Sequence, residues 1–148
     1  MYDKTTIKQY IKEHGEIIIA PMGNSMLPLL KEDRCQVILK EPEILPKRFD
    51  VVLYQAKSGK QILHRIVQVH PASFTICGDN TYVLEKEIKR EQILAVMTGF
   101  YRKDKYISCT SLPYCFYVKI WWILYPLRKV MFSIVQKGYR ILRRRNND

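Results

Sequence analysis

The 148 residues of this chain, of which 47% are hydrophobic and 26% charged, suffice for one domain with a sizeable buried core. The formal net charge is +11, and residues 116–148 supply +7 of it, because they hold eight Lys or Arg side chains against one acid, Asp148. Since the first 115 residues carry only +4, the charge argues against a nucleic-acid-binding face on the body of the protein.

Hydrophobic patterns along the chain predict a short helix followed by an antiparallel β structure. Ile7, Tyr10 and Ile11 recur at helical spacing, which predicts an amphipathic helix over residues 4–13 that stops at Gly15. Short apolar or alternating runs separated by turn residues predict the strands Glu16–Ala20, Gln36–Leu39, Asp50–Tyr54, Gln61–Val69, Phe74–Cys77, Ile93–Tyr101 and Tyr106–Cys109. Strands of this length and spacing are typical of an antiparallel, partly barrel-like β body.

Three segments of this body carry the residue types of a serine-hydrolase site. Ser25 follows the first predicted strand, His64 lies inside a strand, and Asp79 comes just after another. A serine hydroxyl needs a neighbouring base to act as a nucleophile, and histidine suits that task because its ordinary pKa is about 6.5. A carboxylate can then orient the imidazole and stabilise its cation. Each residue alone is more often structural, but together they predict Ser25 as nucleophile, His64 as base and Asp79 as the orienting acid.

The segments that contain these residues also resemble a known family. In chain order they read Ser25-Met26-Leu27-Pro28, Phe49-Asp50-Val51-Val52, His64-Arg65-Ile66-Val67 and Gly78-Asp79-Asn80. Over roughly residues 15 to 100, the chain resembles the serine peptidases that include the type I signal peptidases and the LexA-like self-cleaving repressors. It is similar to the branch that uses a histidine base. The resemblance implies a signal-peptidase/LexA-type body with Ser25, His64 and Asp79 as catalytic residues.

Details of the expected site follow from the same resemblance. Gly23 stands where some bacterial members have a hydroxyl residue, so we expect backbone N–H groups of Ser25 and Asn24 to bind the oxyanion. Met26 and Pro28 are expected to contact the substrate. The chain departs from the family in having Phe49-Asp50 in place of Gly-Asp, and in lacking the Asp-Ser-Arg extension that often follows Gly-Asp-Asn.

Residues 114–148 differ in character from the preceding 113 residues. Both tryptophans lie there, but Lys119, Pro126, Arg128 and Lys129 interrupt every window of about 20 residues that could span a membrane. The pattern favours an interfacial helix or helix pair on an anionic membrane surface, with the Arg143–Arg145 run toward the lipid headgroups. Two alternatives remain. The segment is a helix that packs on the β body and ends in a solvated basic tail, or it binds a protein or nucleic-acid partner.

The sequence therefore predicts a membrane-associated serine endopeptidase that cleaves a protein or peptide precursor. No metal or organic cofactor is implied, since Cys109 and Cys115 do not have the spacing of a zinc site. The polar N-terminus shows no secretory signal, which favours the cytosolic face. Two alternatives are a non-catalytic membrane-associated adaptor with the same fold and a LexA-like self-cleaving regulator. The second is less favoured, because the residues ahead of the first strand are too few for a helix-turn-helix unit.

Overall fold

The computed structural model describes residues 4–130, which form a mainly antiparallel β structure with a short N-terminal helix and a C-terminal helical segment. The chain divides into two compact units, one ending at Ser111 and one beginning at Leu112. The helices are α1 (Lys4–His14) and α2 (Leu112–Ile123), and the strands are β1 (Ile17–Ile19), β2 (Cys35–Lys40), β3 (Val51–Gln55), β4 (Gln61–Val69), β5 (Phe74–Cys77), β6 (Glu85–Ile88), β7 (Ile93–Arg102) and β8 (Lys105–Ser108).

The strands form one antiparallel sheet of eight. Their order is β1-β2-β7-β3-β4-β5-β6, and β8 pairs with β7 beyond this path. The predicted antiparallel β body is thereby confirmed. The sheet is not closed into a barrel, because β1 and β6 form the two ends of the strand order.

Helix α1 forms and ends as its sequence predicts. Ile7 and Ile11 are one turn apart on one face and both are buried. Gly15 follows the helix with a φ of 82°, a left-handed conformation that glycine adopts without steric cost, and its N–H donates to the carbonyl oxygen of Ile11 at 2.7 Å.

Strands β3, β4 and β5 lie side by side in the sheet. Val52 on β3 faces His64 on β4, and Arg65 on β4 faces Cys77 on β5. The buried core cluster beneath these strands consists of Val52, Tyr54, Ile66, Phe74, Ile76, Ile88 and Ile93. Because β4 has a partner on both sides, any side chain on it is held in a well-defined direction.

Strand β6 was not predicted from the sequence. Its residues Glu-Lys-Glu-Ile have little intrinsic preference for strands, and only Ile88 is buried. It forms because the chain turns back after β5 and pairs with it, with Glu85 opposite Ile76 and Ile88 opposite Phe74. The strand thus brings the Glu85 side chain next to β4.

The second unit begins with α2 and continues in a further helical stretch over residues 125–130. Within the described range, no helix has both the length and the apolar character needed to cross a membrane. The basic run Arg143–Arg145, which we expected to face lipid, lies outside the described residues.

Candidate active site

Ser25 lies in a compact turn between β1 and β2. Gly23 opens the turn with a φ of 79°, and its N–H donates to the Glu32 carboxylate at 3.1 Å. Ser25 is half-buried, and no hydrogen bond of its hydroxyl is present within residues 4–130. The N–H groups of Asn24 and Ser25, expected to bind an oxyanion, also donate to no other group in that range.

The two residues expected to contact the substrate have different environments. The Met26 side chain is 4% exposed, and its carbonyl oxygen accepts a hydrogen bond from the Leu30 N–H at 2.9 Å. Pro28 is exposed. Of the pair, only Pro28 presents its side chain to solvent, and Met26 instead supports the turn from inside.

The Gly78-Asp79-Asn80 segment after β5 holds the Ser25 turn in place. The Asn80 N–H donates to the Ser25 carbonyl oxygen at 2.7 Å, and the Asn80 side-chain amide donates to the Asn24 carbonyl oxygen at 3.1 Å. These two hydrogen bonds join residues more than 50 positions apart in the sequence. The turn that carries the serine is therefore fixed to the end of β5.

His64 reaches the same place from the middle of β4. A Cβ atom added to Gly78 would lie 2.6 Å from the Ser25 carbonyl oxygen and 3.0 Å from Nε2 of His64. Both atoms thus lie close to Gly78. Glycine is required there because a methyl group would occupy the space between the serine turn and the imidazole. The Ser25 backbone and the His64 imidazole therefore both lie against Gly78.

The other ring nitrogen of His64 is held by an acid that the sequence analysis missed. Nδ1 of His64 lies 3.1 Å from Oε1 of Glu85 on β6. In the tautomer that donates from Nδ1 to this carboxylate, Nε2 is unprotonated on the side of Gly78 and Ser25. This is the arrangement of a general base with an orienting carboxylate.

Asp79, which we expected to orient His64, is held by Arg65. Its two carboxylate oxygens accept hydrogen bonds from Nε and Nη2 of Arg65 at 2.8 and 2.7 Å, and both side chains are fully buried. Arg65 also donates from Nη1 to the Phe49 carbonyl oxygen at 2.8 Å. The side chains of successive residues in a strand point to opposite faces of the sheet. Arg65 and His64 therefore contact different acids. Nδ1 of His64 thus contacts Glu85, whereas the Asp79 carboxylate pairs with Arg65 and anchors the segment that holds the serine turn.

Burial sets the protonation state of His64. The residue is 8% exposed, and removal from water lowers its pKa below the ordinary value of 6.5. The charge and hydrogen bond of Glu85, and the charge of Asp79, oppose this effect without cancelling it. The imidazole is therefore neutral at neutral pH, as a general base must be before it accepts a proton.

Glu85 could have been considered from the sequence, since it is an acid only six positions after Asp79. Nothing in its local pattern, however, indicates a strand or a contact with His64. In the described part of the chain, no group of three His, Cys, Asp or Glu side chains is arranged to hold a metal ion.

Comparisons of the chain with protein-family models, curated proteins and solved structures found no match.

Proposed function

We propose that this protein is a serine endopeptidase of the signal-peptidase type, with Ser25 as nucleophile, His64 as general base and Glu85 as the orienting acid. The observation that carries the proposal is that Nε2 of His64 and the Ser25 turn both lie next to Gly78. The other ring nitrogen of His64, Nδ1, contacts the Glu85 carboxylate. The four ordered segments that resemble signal peptidases and LexA-like repressors support the same chemistry and a body of that type.

The proposed reaction follows from these positions. Ser25 loses its proton to Nε2 of His64 and attacks a peptide carbonyl carbon. The Glu85 carboxylate stabilises the resulting imidazolium, and the N–H groups of Asn24 and Ser25 stabilise the oxyanion. His64 then gives its proton to the leaving amine, which breaks the peptide bond and leaves an acyl-enzyme. A water molecule, deprotonated by His64, hydrolyses this ester and regenerates the serine.

The Ser25 hydroxyl makes no hydrogen bond to His64 within the described residues. Catalytic hydrogen bonds are often long without substrate and tighten in the substrate complex. In this proposal, a substrate seated against the turn and Pro28 aligns the hydroxyl with Nε2. The substrate is a protein or peptide precursor with an extended segment at the scissile bond.

The test uses the full chain, a panel of signal-like peptides and a fluorophosphonate probe that labels only activated serines. We expect wild-type protein to react with the probe and cleave peptides, and the Ser25→Ala variant to do neither. Ser58→Ala, in the exposed turn between β3 and β4, is the matched control and should retain both activities. Equal cleavage by wild type and Ser25→Ala would refute the proposal. Absence of labelling would favour the adaptor, and spontaneous shortening of the purified chain would favour the self-cleaving regulator.

The second unit supports a separate proposal, that the protein binds an anionic membrane surface. Exposed apolar side chains recur every three or four residues along one stripe of the helical segment, as expected for a helix that lies in a lipid interface. They are Leu112, Phe116, Ile120, Ile123, Leu127 and Val130. The exposed cations Lys119 and Lys129 flank this stripe and would attract anionic headgroups.

Co-sedimentation with vesicles tests this second proposal. We expect binding to phosphatidylglycerol vesicles to exceed binding to phosphatidylcholine vesicles, and Phe116→Ser to weaken it. Phe116 is 70% exposed, and Val83→Ser is the matched control because Val83 is 72% exposed but lies in the first unit. Equal sedimentation of wild type and Phe116→Ser would contradict a membrane role for the stripe.

A further inference from the structure

A buried tyrosine hydroxyl next to the proposed site has no role in the reaction described above. Tyr54 lies on β3, opposite Ile62 of β4, and is 0% exposed. Within the described residues, its hydroxyl has no hydrogen-bond partner of ordinary geometry. A buried donor without a partner is costly and rare, so its retention in a well-packed core requires an explanation.

Tyr54 lies next to His64 and near the Glu85 carboxylate that contacts His64. Its ring centroid is 6.3 Å from that of His64, with the planes inclined at 48°. Burial raises the pKa of Tyr54 above its ordinary value, and the adjacent Glu85 carboxylate and Cys77 raise it further. The hydroxyl therefore keeps its proton and faces a negative charge, although the two groups do not have ordinary hydrogen-bond geometry.

A second hydrogen-bond donor would hold the Glu85 carboxylate more firmly than the His64 contact alone. It lies on β6 at the end of the strand order, its side chain is 28% exposed, and the contact with His64 involves only Oε1. A glutamate has more rotatable bonds than an aspartate, so a single hydrogen bond leaves its carboxylate free to turn toward water. When His64 takes the serine proton, the carboxylate must remain on Nδ1 to stabilise the cation.

We propose that Tyr54 is a positioning residue whose hydroxyl donates a hydrogen bond to the Glu85 carboxylate during catalysis and so keeps that carboxylate on Nδ1 of His64. The inference rests on the proposed function, since it assigns a role within the same site. The groups that act on His64 are then Glu85 from β6, Asp79 from the β5–β6 connection and Tyr54 from β3. Tyr54 would add a second donor to the Glu85 carboxylate, beside Nδ1 of His64.

The Tyr54→Phe variant tests the inference because it removes the hydroxyl and keeps the ring. Deleting an unsatisfied buried hydroxyl should leave the melting temperature unchanged or slightly higher. We expect kcat to fall about tenfold with KM unchanged, as for the loss of one hydrogen bond to a charged group. The pKa of His64, measured by NMR in a Ser25→Ala background, should fall, since the Glu85 carboxylate would then be free to leave Nδ1 and would stabilise the imidazolium less.

Two further comparisons make the result specific. Tyr106→Phe, on β8 and in ring contact with Tyr101, is the matched control and should change neither kcat nor the His64 pKa. In a Glu85→Gln background, Tyr54→Phe should have little additional effect on kcat, because both substitutions act on the same hydrogen bond.

The possible failures can be told apart. If Ser25→Ala abolishes cleavage but Tyr54→Phe behaves like Tyr106→Phe in both kcat and the His64 pKa, the role of Tyr54 is overturned and the proposed function stands. If Tyr54→Phe loses activity only in proportion to a lower melting temperature, the residue is structural and the inference is again overturned. Retention of wild-type cleavage by Ser25→Ala would overturn the proposed function, and the Tyr54 inference with it.

Discussion

Replacing Gly78 with alanine should separate the serine turn from its base. The added Cβ would lie 2.6 Å from the Ser25 carbonyl oxygen and 3.0 Å from Nε2 of His64. A carbon and an oxygen rarely approach closer than about 3.3 Å, so the Ser25 backbone must retreat by roughly 0.7 Å. A misplacement of about 1 Å can reduce an enzymatic rate about 100-fold, and we therefore expect kcat/KM to fall by roughly this factor.

The same substitution should also reduce stability. The hydrogen bond from the Asn80 N–H to the Ser25 carbonyl oxygen is 2.7 Å long and lies beside the new methyl group, so it will lengthen or break. Overpacking of this kind costs about 1–3 kcal/mol. Activity is measured as kcat/KM on a cleaved peptide, and stability by thermal unfolding followed by circular dichroism.

Gly99→Ala is the matched control for this prediction. A Cβ at Gly99, on β7, would lie 2.7 Å from the Tyr106 ring and 3.0 Å from the Ile107 carbonyl oxygen, an overlap of similar size elsewhere in the sheet. We expect it to lower the melting temperature without lowering kcat/KM at a temperature where the variant is folded. The reasoning is refuted if Gly78→Ala keeps wild-type kcat/KM, or if both variants lose activity equally.

Four further predictions concern the two acids and the base. Glu85→Gln should lower kcat by about 10²- to 10⁴-fold with little change in melting temperature, because it removes the orienting charge. Asp79→Asn should instead lower the free energy of unfolding, measured in urea, by about 3–5 kcal/mol, since it breaks the buried pair with Arg65. The value of kcat/KM should fall as pH drops through the pKa of His64, which burial holds below 6.5. Because the unfolded chain binds this proton first, the free energy of unfolding should also decline from pH 6.5 downward, and His64→Gln should remove that contribution.

Clear outcomes would contradict these expectations. If Asp79→Asn lost activity without destabilisation while Glu85→Gln stayed fully active, the acid would be Asp79 and our assignment of Glu85 would be wrong. A rate profile whose acidic limb lies above pH 6.5 would mean that the nearby carboxylates outweigh burial at His64. An unfolding free energy with the same pH dependence in wild type and His64→Gln would show that the imidazole has an unperturbed pKa.

The strands of the central sheet could be predicted because their patterns are local. The run from Gln61 to Val69 was predicted as a strand with the bounds that the structure shows, as was Phe74–Cys77. Strand β6 could not be predicted, because it depends on pairing with β5 and its own residues favour exposure. The acid that it carries was therefore missed together with the strand.

The partner of Asp79 illustrates the same limit. Asp79 lies in the segment that approaches both Arg65 and His64, two adjacent residues of β4 whose side chains point to opposite faces. The sequence permits Asp79 to pair with either Arg65 or His64 and does not indicate which pair forms. The bidentate geometry and full burial of the Arg65 pair decide between them, and these exist only in the folded chain.

The amino-acid sequence by itself determined the residue types of the proposed hydrolytic site, the antiparallel strands that carry them and the basic, aromatic character of the C-terminal segment, because these depend on composition and short-range pattern. Only the tertiary structure decided that Glu85 holds His64, that Asp79 pairs with Arg65, and that Gly78 leaves space for the imidazole beside Ser25. These are contacts between residues 14 to 53 positions apart, and their geometry follows from strand pairing and burial rather than from any local signal.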